Sequence, residues 1–308
     1  MIFQKNKYYL SFGDYLKGLF GEKVYKVTLD AGFSCPNRDG SLSYEGCIFC
    51  DDSGSFSRLY SNTMSVKEQL LTGMDKIKKR YHANKFLAYF QAYTNTYAPA
   101  EDLKKIYDEV FVENVVGMSI GTRPDCVDEK KLDLIASYNT DNRFIQVEYG
   151  IQSVHDRTLK LINRGHDFEC FQRACQLSKE RNLKICAHVI LGLPGETHEN
   201  MMQTAKTLAK MHPDGIKIHM LAVMEGTKIH KMYDKGEINL MSEEEYVATV
   251  CDFLEYLPPD TVIQRLAGNG KREFRTAPKW LGKKLELVGK IENEFKKRGT
   301  CQGSGFSV

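Results

Sequence analysis

Val24-Tyr25-Lys26-Val27-Thr28-Leu29 runs directly into Asp30-Ala31-Gly32-Phe33-Ser34-Cys35-Pro36-Asn37-Arg38-Asp39-Gly40-Ser41-Leu42-Ser43-Tyr44-Glu45-Gly46-Cys47-Ile48-Phe49-Cys50. The first six residues are a short β-branched strand run, and the rest is a Gly/Ser/Asn/Asp loop carrying three cysteines. Three thiolates suffice for three irons of a cubane [4Fe–4S] cluster, since each iron takes one soft ligand. The fourth iron is then open to a small molecule, which it can chelate and reduce. A lone Cys-x-x-Cys also serves as a structural zinc knuckle or a redox pair. A closed zinc site needs a fourth ligand, and no second Cys-x-x-Cys or Cys/His pair stands in the chain. A thioredoxin-like pair opens a helix directly after a strand. Here a long loop and a third cysteine come first.

The 308 residues suffice for one large α/β domain or two small ones. A hydrophobic fraction of 42% and a mean hydropathy of −0.41 are those of a water-soluble globular chain. The start Met1-Ile2-Phe3-Gln4-Lys5 lacks an apolar leader, and no apolar run reaches membrane-spanning length, so a cytoplasmic protein with no membrane partner is expected. Nine cysteines there read as thiols and metal ligands. Cys126, Cys170, Cys175, Cys186, Cys251 and Cys301 lack ligand spacing and read as plain thiols. The formal net charge of +3 neither demands nor excludes nucleic acid. Two basic groups stand out, Lys76, Lys78, Lys79, Arg80, His82 and Lys85, then Lys271, Arg272, Arg275, Lys279, Lys283 and Lys284. They are either one phosphate-tracking surface or two solvated faces.

Outward from the loop the pattern alternates strand and helix. Strand runs lie at 24–29, 86–90, 115–120, 144–149, 183–191 and 215–221. Between them, helical periodicity covers 66–81, 100–112, 128–138, 155–163, 168–181 and 197–211, with Asp128 and Thr197 as N-caps. Apolar strands separated by helices predict a parallel sheet with crossover helices. Six such units are two short of a full (β/α)8 barrel. The expected fold is therefore α/β, a partial (β/α)6 TIM-like barrel over residues 1–235 with the cluster loop near its start. Residues 236–308 read as a helical, basic C-terminal extension on the same domain. Helices are expected at 242–256 and 278–297, and 261–266 is a candidate for one more strand.

The loop and the strand ends together resemble the radical S-adenosylmethionine (SAM) superfamily, and within it the YtqA/YhcC-like group, over nearly the whole chain. The usual superfamily loop is Cys-x3-Cys-x-aromatic-Cys. This chain has Cys35-x11-Cys47-Ile48-Phe49-Cys50, a longer first spacing like that of the Elongator radical subunit. Further motifs follow in family order: Gly121-Thr122-Arg123-Pro124-Asp125, Glu148-Tyr149-Gly150-Ile151-Gln152-Ser153, Asn163-Arg164-Gly165-His166, Ile190-Leu191-Gly192-Leu193-Pro194-Gly195-Glu196-Thr197, and Gly226-Thr227. All sit at the carboxyl ends of strands, where parallel-sheet enzymes bind ligands.

The resemblance implies that Cys35, Cys47 and Cys50 hold a [4Fe–4S] cluster whose open iron chelates SAM. Reduction then yields a 5′-deoxyadenosyl radical that takes hydrogen from an unactivated C–H bond. Phe49 is implied beside the adenine, and Thr94 or Asn95 with nearby carbonyls at the methionine amine, where relatives carry a Gly-Gly-Glu-like turn. Gln152 and Arg164 match SAM-contacting positions, Arg164 as a fork for the methionine carboxylate, with a surface salt bridge as its alternative. His188 stands where relatives carry an Asp near the ribose; a core histidine bonded to backbone is the alternative. Glu148 is a candidate for SAM or a substrate amine. Lys217 and His219 alternate inward on the sixth strand as contacts for a substrate carboxylate or phosphate, with Arg123 as a second anion contact.

The same resemblance implies a tRNA substrate. The Elongator radical subunit works on the wobble uridine, and an MnmL-type branch is tied to that position. It converts 5-carboxymethylaminomethyl-uridine, with or without 2-thio, to 5-aminomethyl-uridine. The basic groups would hold the anticodon stem, and Tyr93, Tyr97 or Phe56 would stack a splayed base. An electron donor such as flavodoxin or ferredoxin is implied as partner. The alternatives are a radical SAM enzyme acting on a small metabolite, and a non-catalytic iron–sulfur or zinc RNA-binding module.

Overall fold

The structure is a computed structural model that describes residues 8–51, 64–140, 142–267, 274–282 and 284–307. Helix α1 (Phe12–Phe20) is started by the Ser11 hydroxyl, which accepts from Asp14 N, and stopped by Gly21 at φ 77°. There follow β1 (Val24–Leu29), α2 (Val66–Tyr81), β2 (Lys85–Phe90), α3 (Ala100–Asp108), β3 (Val115–Thr122), α4 (Glu129–Ser137) and β4 (Phe144–Gln152). Next are α5 (Asp156–Leu161), α6 (Phe168–Lys179), β5 (Lys184–Leu191), α7 (His198–Met211) and β6 (Gly215–Met220). The last part holds β7 (Val223–Met224), α8 (Lys228–Asp234), α9 (Glu243–Tyr256), β8 (Val262–Arg265), β9 (Arg275–Ala277) and α10 (Lys284–Arg298). Asp128 and Thr197 cap α4 and α7 as expected, each accepting a first-turn backbone N–H.

Seven parallel strands form one sheet in the order β1-β2-β3-β4-β5-β6-β8. The six expected strands are joined by β8, the further strand for which 261–266 was a candidate. The sheet is curled into a partial barrel. In a flat sheet β2 and β6 would lie about 19 Å apart at ~4.8 Å per strand, yet Lys217 Nζ on β6 reaches Tyr89 OH on β2 at 3.0 Å. The edge strands also converge, with Lys26 Nζ on β1 3.5 Å from Gln264 Oε1 on β8.

Two apolar layers hold this shape. Outside, α2, α3, α4, α6, α7, α9 and α10 cover the sheet, with Leu29, Leu70, Phe90, Tyr107, Phe171, Phe253 and Phe295 fully buried. Each such side chain contributes about 1.5–3 kcal/mol by burial. Inside, Val24, Leu87, Phe144 and Val262 close the floor of the barrel against Phe12 and Leu16 of α1. Above that floor the inward positions turn polar, and the lumen opens toward the carboxyl ends of the strands.

The tail beyond α10 is a coil pinned by Gln302. Its side-chain oxygen accepts from Leu10 N at 2.9 Å, and its amide donates to Pro258 O and Thr261 O at 2.7 and 2.8 Å. Helix α10 starts at Lys284, later than the expected 278, because Pro278 and Gly282 at φ 153° interrupt the turn before it. Among the described residues the two basic groups do not meet. Lys76 to Lys85 lie at the end of α2 and the start of β2, on the amino-terminal side of the sheet. Arg275 lies beyond the carboxyl ends, since β9 pairs with β7 just after β6, whereas Lys284 lies at the side, by the edges β1 and β8. Lys271, Arg272, Lys283 and Phe56 lie outside the described residues.

Candidate active site

The cysteine loop folds over the carboxyl edge of the sheet and is tied down at both flanks. Ile48 is the pivot: its N–H donates to Ile162 O after α5, and its carbonyl accepts from Ile229 N of α8, at 3.1 and 2.9 Å. Asn37 donates to Asn163 O at 2.6 Å, and Asn163 returns a bond to Gly46 O at 2.7 Å. Gly40 makes the tight turn possible, since its φ is 94° and a Cβ there would stand 2.3 Å from the Tyr44 ring. Tyr97, expected as a base stacker, instead bonds Ser41 of this loop through its hydroxyl at 2.7 Å.

The thiols suit an iron–sulfur cluster. Asn37 Nδ2 and Arg164 Nη1 each lie 3.6 Å from Cys47 Sγ, and Arg38 Nη1 lies 3.6 Å from Cys50 Sγ. Donors placed this way favour a thiolate sulfur and tune a bound metal. Without such a metal, burial and then the neighbouring Cys47 push the Cys50 thiol up to about 11. Among the described residues no three His, Cys, Asp or Glu side chains gather as around a single ion. Thiolates on three separate irons have no need to do so. Phe49 is half-buried beside them against the cluster of Ile48, Leu159, Ile162 and Ile229.

Arg164 enters from below. Its Nε and Nη2 both donate to Gly150 O, at 3.1 and 2.5 Å, while Nη1 faces Cys47. It is 7% exposed, so it is a buried arginine at the cysteine loop and not the surface ion pair that was its alternative. Gln152 sits on the bulge that follows, at φ 73°, where the β4–β5 register shifts. Gly150 is the small residue that admits both, since a Cβ there would stand 2.7 Å from Gln152 Nε2 and 2.8 Å from Arg164 Nη2.

Beyond β2, the Asn95 amide bridges Ala92 O and Gly121 O at 3.0 and 2.8 Å. Its Oδ1 and the Thr94 hydroxyl are buried without partners among the described residues. Orphaned acceptors of this kind suit an ammonium donor, which the methionine end of SAM carries. Arg123 is placed elsewhere than Lys217 and His219. Its fork is filled by Asp125, at 2.9 and 2.7 Å, and its Nη2 would stand 3.2 Å from a Cβ on Gly165, under the cysteine loop. That saturation, with Nη1 left over, makes it a support of the loop and not an anion contact beside Lys217.

The lumen is organised on Glu148, which is fully buried on β4. Its Oε2 accepts from Lys217 Nζ on β6 and from His188 Nε2 on β5, the latter at 3.0 Å, and Lys26 Nζ lies 3.8 Å from Oε1. Burial works to raise the Glu148 pKa, but Lys217, Lys26 and His188 hold it well below the usual range. Burial and then Lys217 lower His188 to about 4, so it is neutral and donates to the carboxylate. The core-histidine alternative therefore holds in part, with a side chain and not backbone as the partner. His219 packs on His188 at 5.4 Å between ring centroids, with its Nε2 buried and unpartnered among the described residues.

Sequence reasoning missed three members of this group. Lys26 carried a signal, a cation in an otherwise apolar strand run. Tyr89, whose hydroxyl accepts from Lys217, and Asn37, which anchors the loop, carried none.

The sequence profile of the radical SAM superfamily matches residues 35–208, and that of the Radical_SAM C-terminal domain matches residues 213–297. The chain is 41% identical over 305 residues to the uncharacterized protein YtqA of Bacillus subtilis (strain 168), covering 97% of this chain and 93% of YtqA. A tRNA uridine(34) acetyltransferase of Methanocaldococcus infernus is 33% identical over 153 residues, 49% of this chain and 28% of that protein. The solved structure of archaeal M. infernus Elp3 with an N-terminal deletion shares the fold. Its TM-score is 0.64 at 19% identity, over 91% of this chain and 64% of that one.

Proposed function

Because this chain belongs to the radical SAM superfamily, among relatives of YtqA, we propose that it modifies the wobble uridine of tRNA. The reaction is conversion of 5-carboxymethylaminomethyl-uridine, with or without 2-thio, to 5-aminomethyl-uridine. The cofactors of the family are a [4Fe–4S] cluster and SAM, which when bound supply reductive cleavage of the sulfonium and the hydrogen abstraction that follows. Everything else falls to the chain. Cys35, Cys47 and Cys50 would hold the irons, and Phe49 would stand at the adenine. Thr94 and Asn95 Oδ1 would accept from the methionine amine, and Arg164 with Gln152 would meet the rest of SAM. His188, oriented by Glu148, would serve the ribose. Lys217 and His219 line the lumen beneath and would meet the substrate.

The observation that carries this reading is the cationic lumen set directly below the cysteine loop. The named activity of the M. infernus relative supports a uridine at position 34. The basic residue Arg275, beyond the carboxyl ends, suits the phosphates of an anticodon stem. No helix among the described residues is long and apolar enough to cross a membrane. Flavodoxin or ferredoxin is the proposed reductant, and the cytoplasm the proposed compartment. Nucleoside mass spectrometry of tRNA from a deletion strain tests the reading. Carboxymethyl-bearing wobble uridine should accumulate; an unchanged profile points to the small-metabolite alternative.

A further inference from the structure

Strands β1 and β8 are the two edges of the curled sheet, and a cavity of about 430 Å³ lies between them. Lys26, Lys217, Arg265 and Lys284 line it, with Tyr89 and Gln264. Four cations thus face a space in the size range of a small-molecule site. Lys217 and Lys26 both pair with one carboxylate, Glu148, which also takes His188. Arg265 and Lys284 have no ion-pair partner among the described residues. Burial and then Lys217 bring Lys26 down to about 7, and burial and then Arg265 lower Lys284, so the cations of the group also disfavour one another. A purely structural cluster would be relieved by carboxylates. Concentrated, undercompensated cations around an open cavity are what an oxyanion needs.

We propose that the gap between β1 and β8 is an oxyanion site, in which Lys26, Arg265 and Lys284 receive a carboxylate or phosphate group of the substrate. Lys217 closes its inner end. The site stands on the cavity itself; only the source of the oxyanion rests on the tRNA reading. It gives the acidic group of the substrate a seat at the side of the lumen, so that the atoms next to it project inward beneath the cysteine loop.

The test uses cluster-loaded protein, wild type and the Arg265→Gln and Lys284→Gln variants. Thermal unfolding is followed in sodium phosphate, in sodium acetate and in chloride of matched ionic strength. Phosphate or acetate should raise the wild-type midpoint above the chloride control, by linkage to binding. Both variants should lose that increment, yet melt higher than wild type in chloride because repulsion is relieved. An equal oxyanion increment in all three proteins, or none in wild type, overturns the site. Two anticodon stem-loops then separate the sources, one carrying the 5-carboxymethylaminomethyl group and one the 5-aminomethyl group. If the carboxylate fills the site, wild type prefers the first about tenfold and the variants do not, as for one charge-assisted hydrogen bond. If a backbone phosphate fills it, the variants bind both loops about tenfold more weakly. Should neither loop bind while the oxyanion increment stands, the tRNA reading falls and the site remains. Should all three proteins bind the loops equally with no increment, the site falls and the reading remains.

Discussion

Glu148 on β4 and Lys217 on β6 form an ion pair inside the barrel, with side chains 0% and 1% exposed. Two elementary charges are this deep only because the sheet curls, and because His188 and Lys26 share the same carboxylate. Burial lowers the Lys217 pKa and Glu148 more than restores it. The pair fixes the lumen side chains relative to the cysteine loop above.

Breaking this pair on one side should be costly. Glu148→Gln leaves Lys217 buried without a countercharge, for which about 3–5 kcal/mol is expected. Glu148→Gln combined with Lys217→Met removes both charges and should recover much of that loss. Urea unfolding at neutral pH measures both; a double variant as unstable as the single one would show that the charges are not coupled.

Acid should loosen the same group in two stages. His188 has a folded pKa near 4 against 6.5 unfolded. The unfolded chain therefore binds its proton first, and stability falls as the pH drops from about 6.5 toward 4. Glu148, depressed by its cations, contributes stability above its unfolded pKa near 4.5 that is lost on further acidification through its lower folded value. His188→Asn should make the first stage shallower by about one proton's worth, the remainder coming from His219 and His166, which burial also lowers. A slope between pH 6.5 and 4.5 left unchanged by the substitution would remove His188 from it.

Gly150 should matter for SAM and not for the cluster. An added methyl collides with the Arg164 and Gln152 side chains. Gly150→Ala is expected to retain its iron and to bind SAM about tenfold more weakly or worse, the worth of a displaced charge-assisted contact. Unaltered SAM affinity with normal iron would remove Arg164 and Gln152 from the SAM site.

Thr94 and Asn95 should separate binding from stability. Asn95→Ala loses two buried amide bonds and should cost about 1–3 kcal/mol. Thr94→Val removes an unpartnered buried hydroxyl and should leave stability unchanged or improved. If Thr94 meets the methionine amine, that variant nevertheless binds SAM more weakly in equilibrium titration. Equal SAM affinity in Thr94→Val and wild type removes this role.

Much of this arrangement was legible because it is written in local patterns. The apolar runs gave six strands within a few residues, as at Val24–Leu29 and Lys184–Leu191. Caps such as Thr197 carry their signal in neighbouring side chains. Helix α1 lay outside the reading although its signal is local: Ser11 caps it, and Phe12, Tyr15, Leu16, Leu19 and Phe20 stand at helical spacing before they plug the barrel floor. The site was half legible. Cysteine spacing and strand-end glycines are short-range signals, whereas Tyr89 and Arg265 join the lumen through curling of the sheet, which no local pattern reports. Arg123 is the opposite case, since the residue that fills its fork, Asp125, stands only two positions away.

The most direct experiment is anaerobic reconstitution with iron and sulfide, followed by SAM and dithionite, with 5′-deoxyadenosine measured by chromatography. Wild type and variants at Cys126, Cys170, Cys175, Cys186, Cys251 or Cys301 should bind about four irons and release the nucleoside. Cys35→Ala, Cys47→Ala and Cys50→Ala should release none. A wild-type protein that binds only zinc, or that leaves SAM intact under dithionite, would contradict the radical chemistry assigned to these three cysteines.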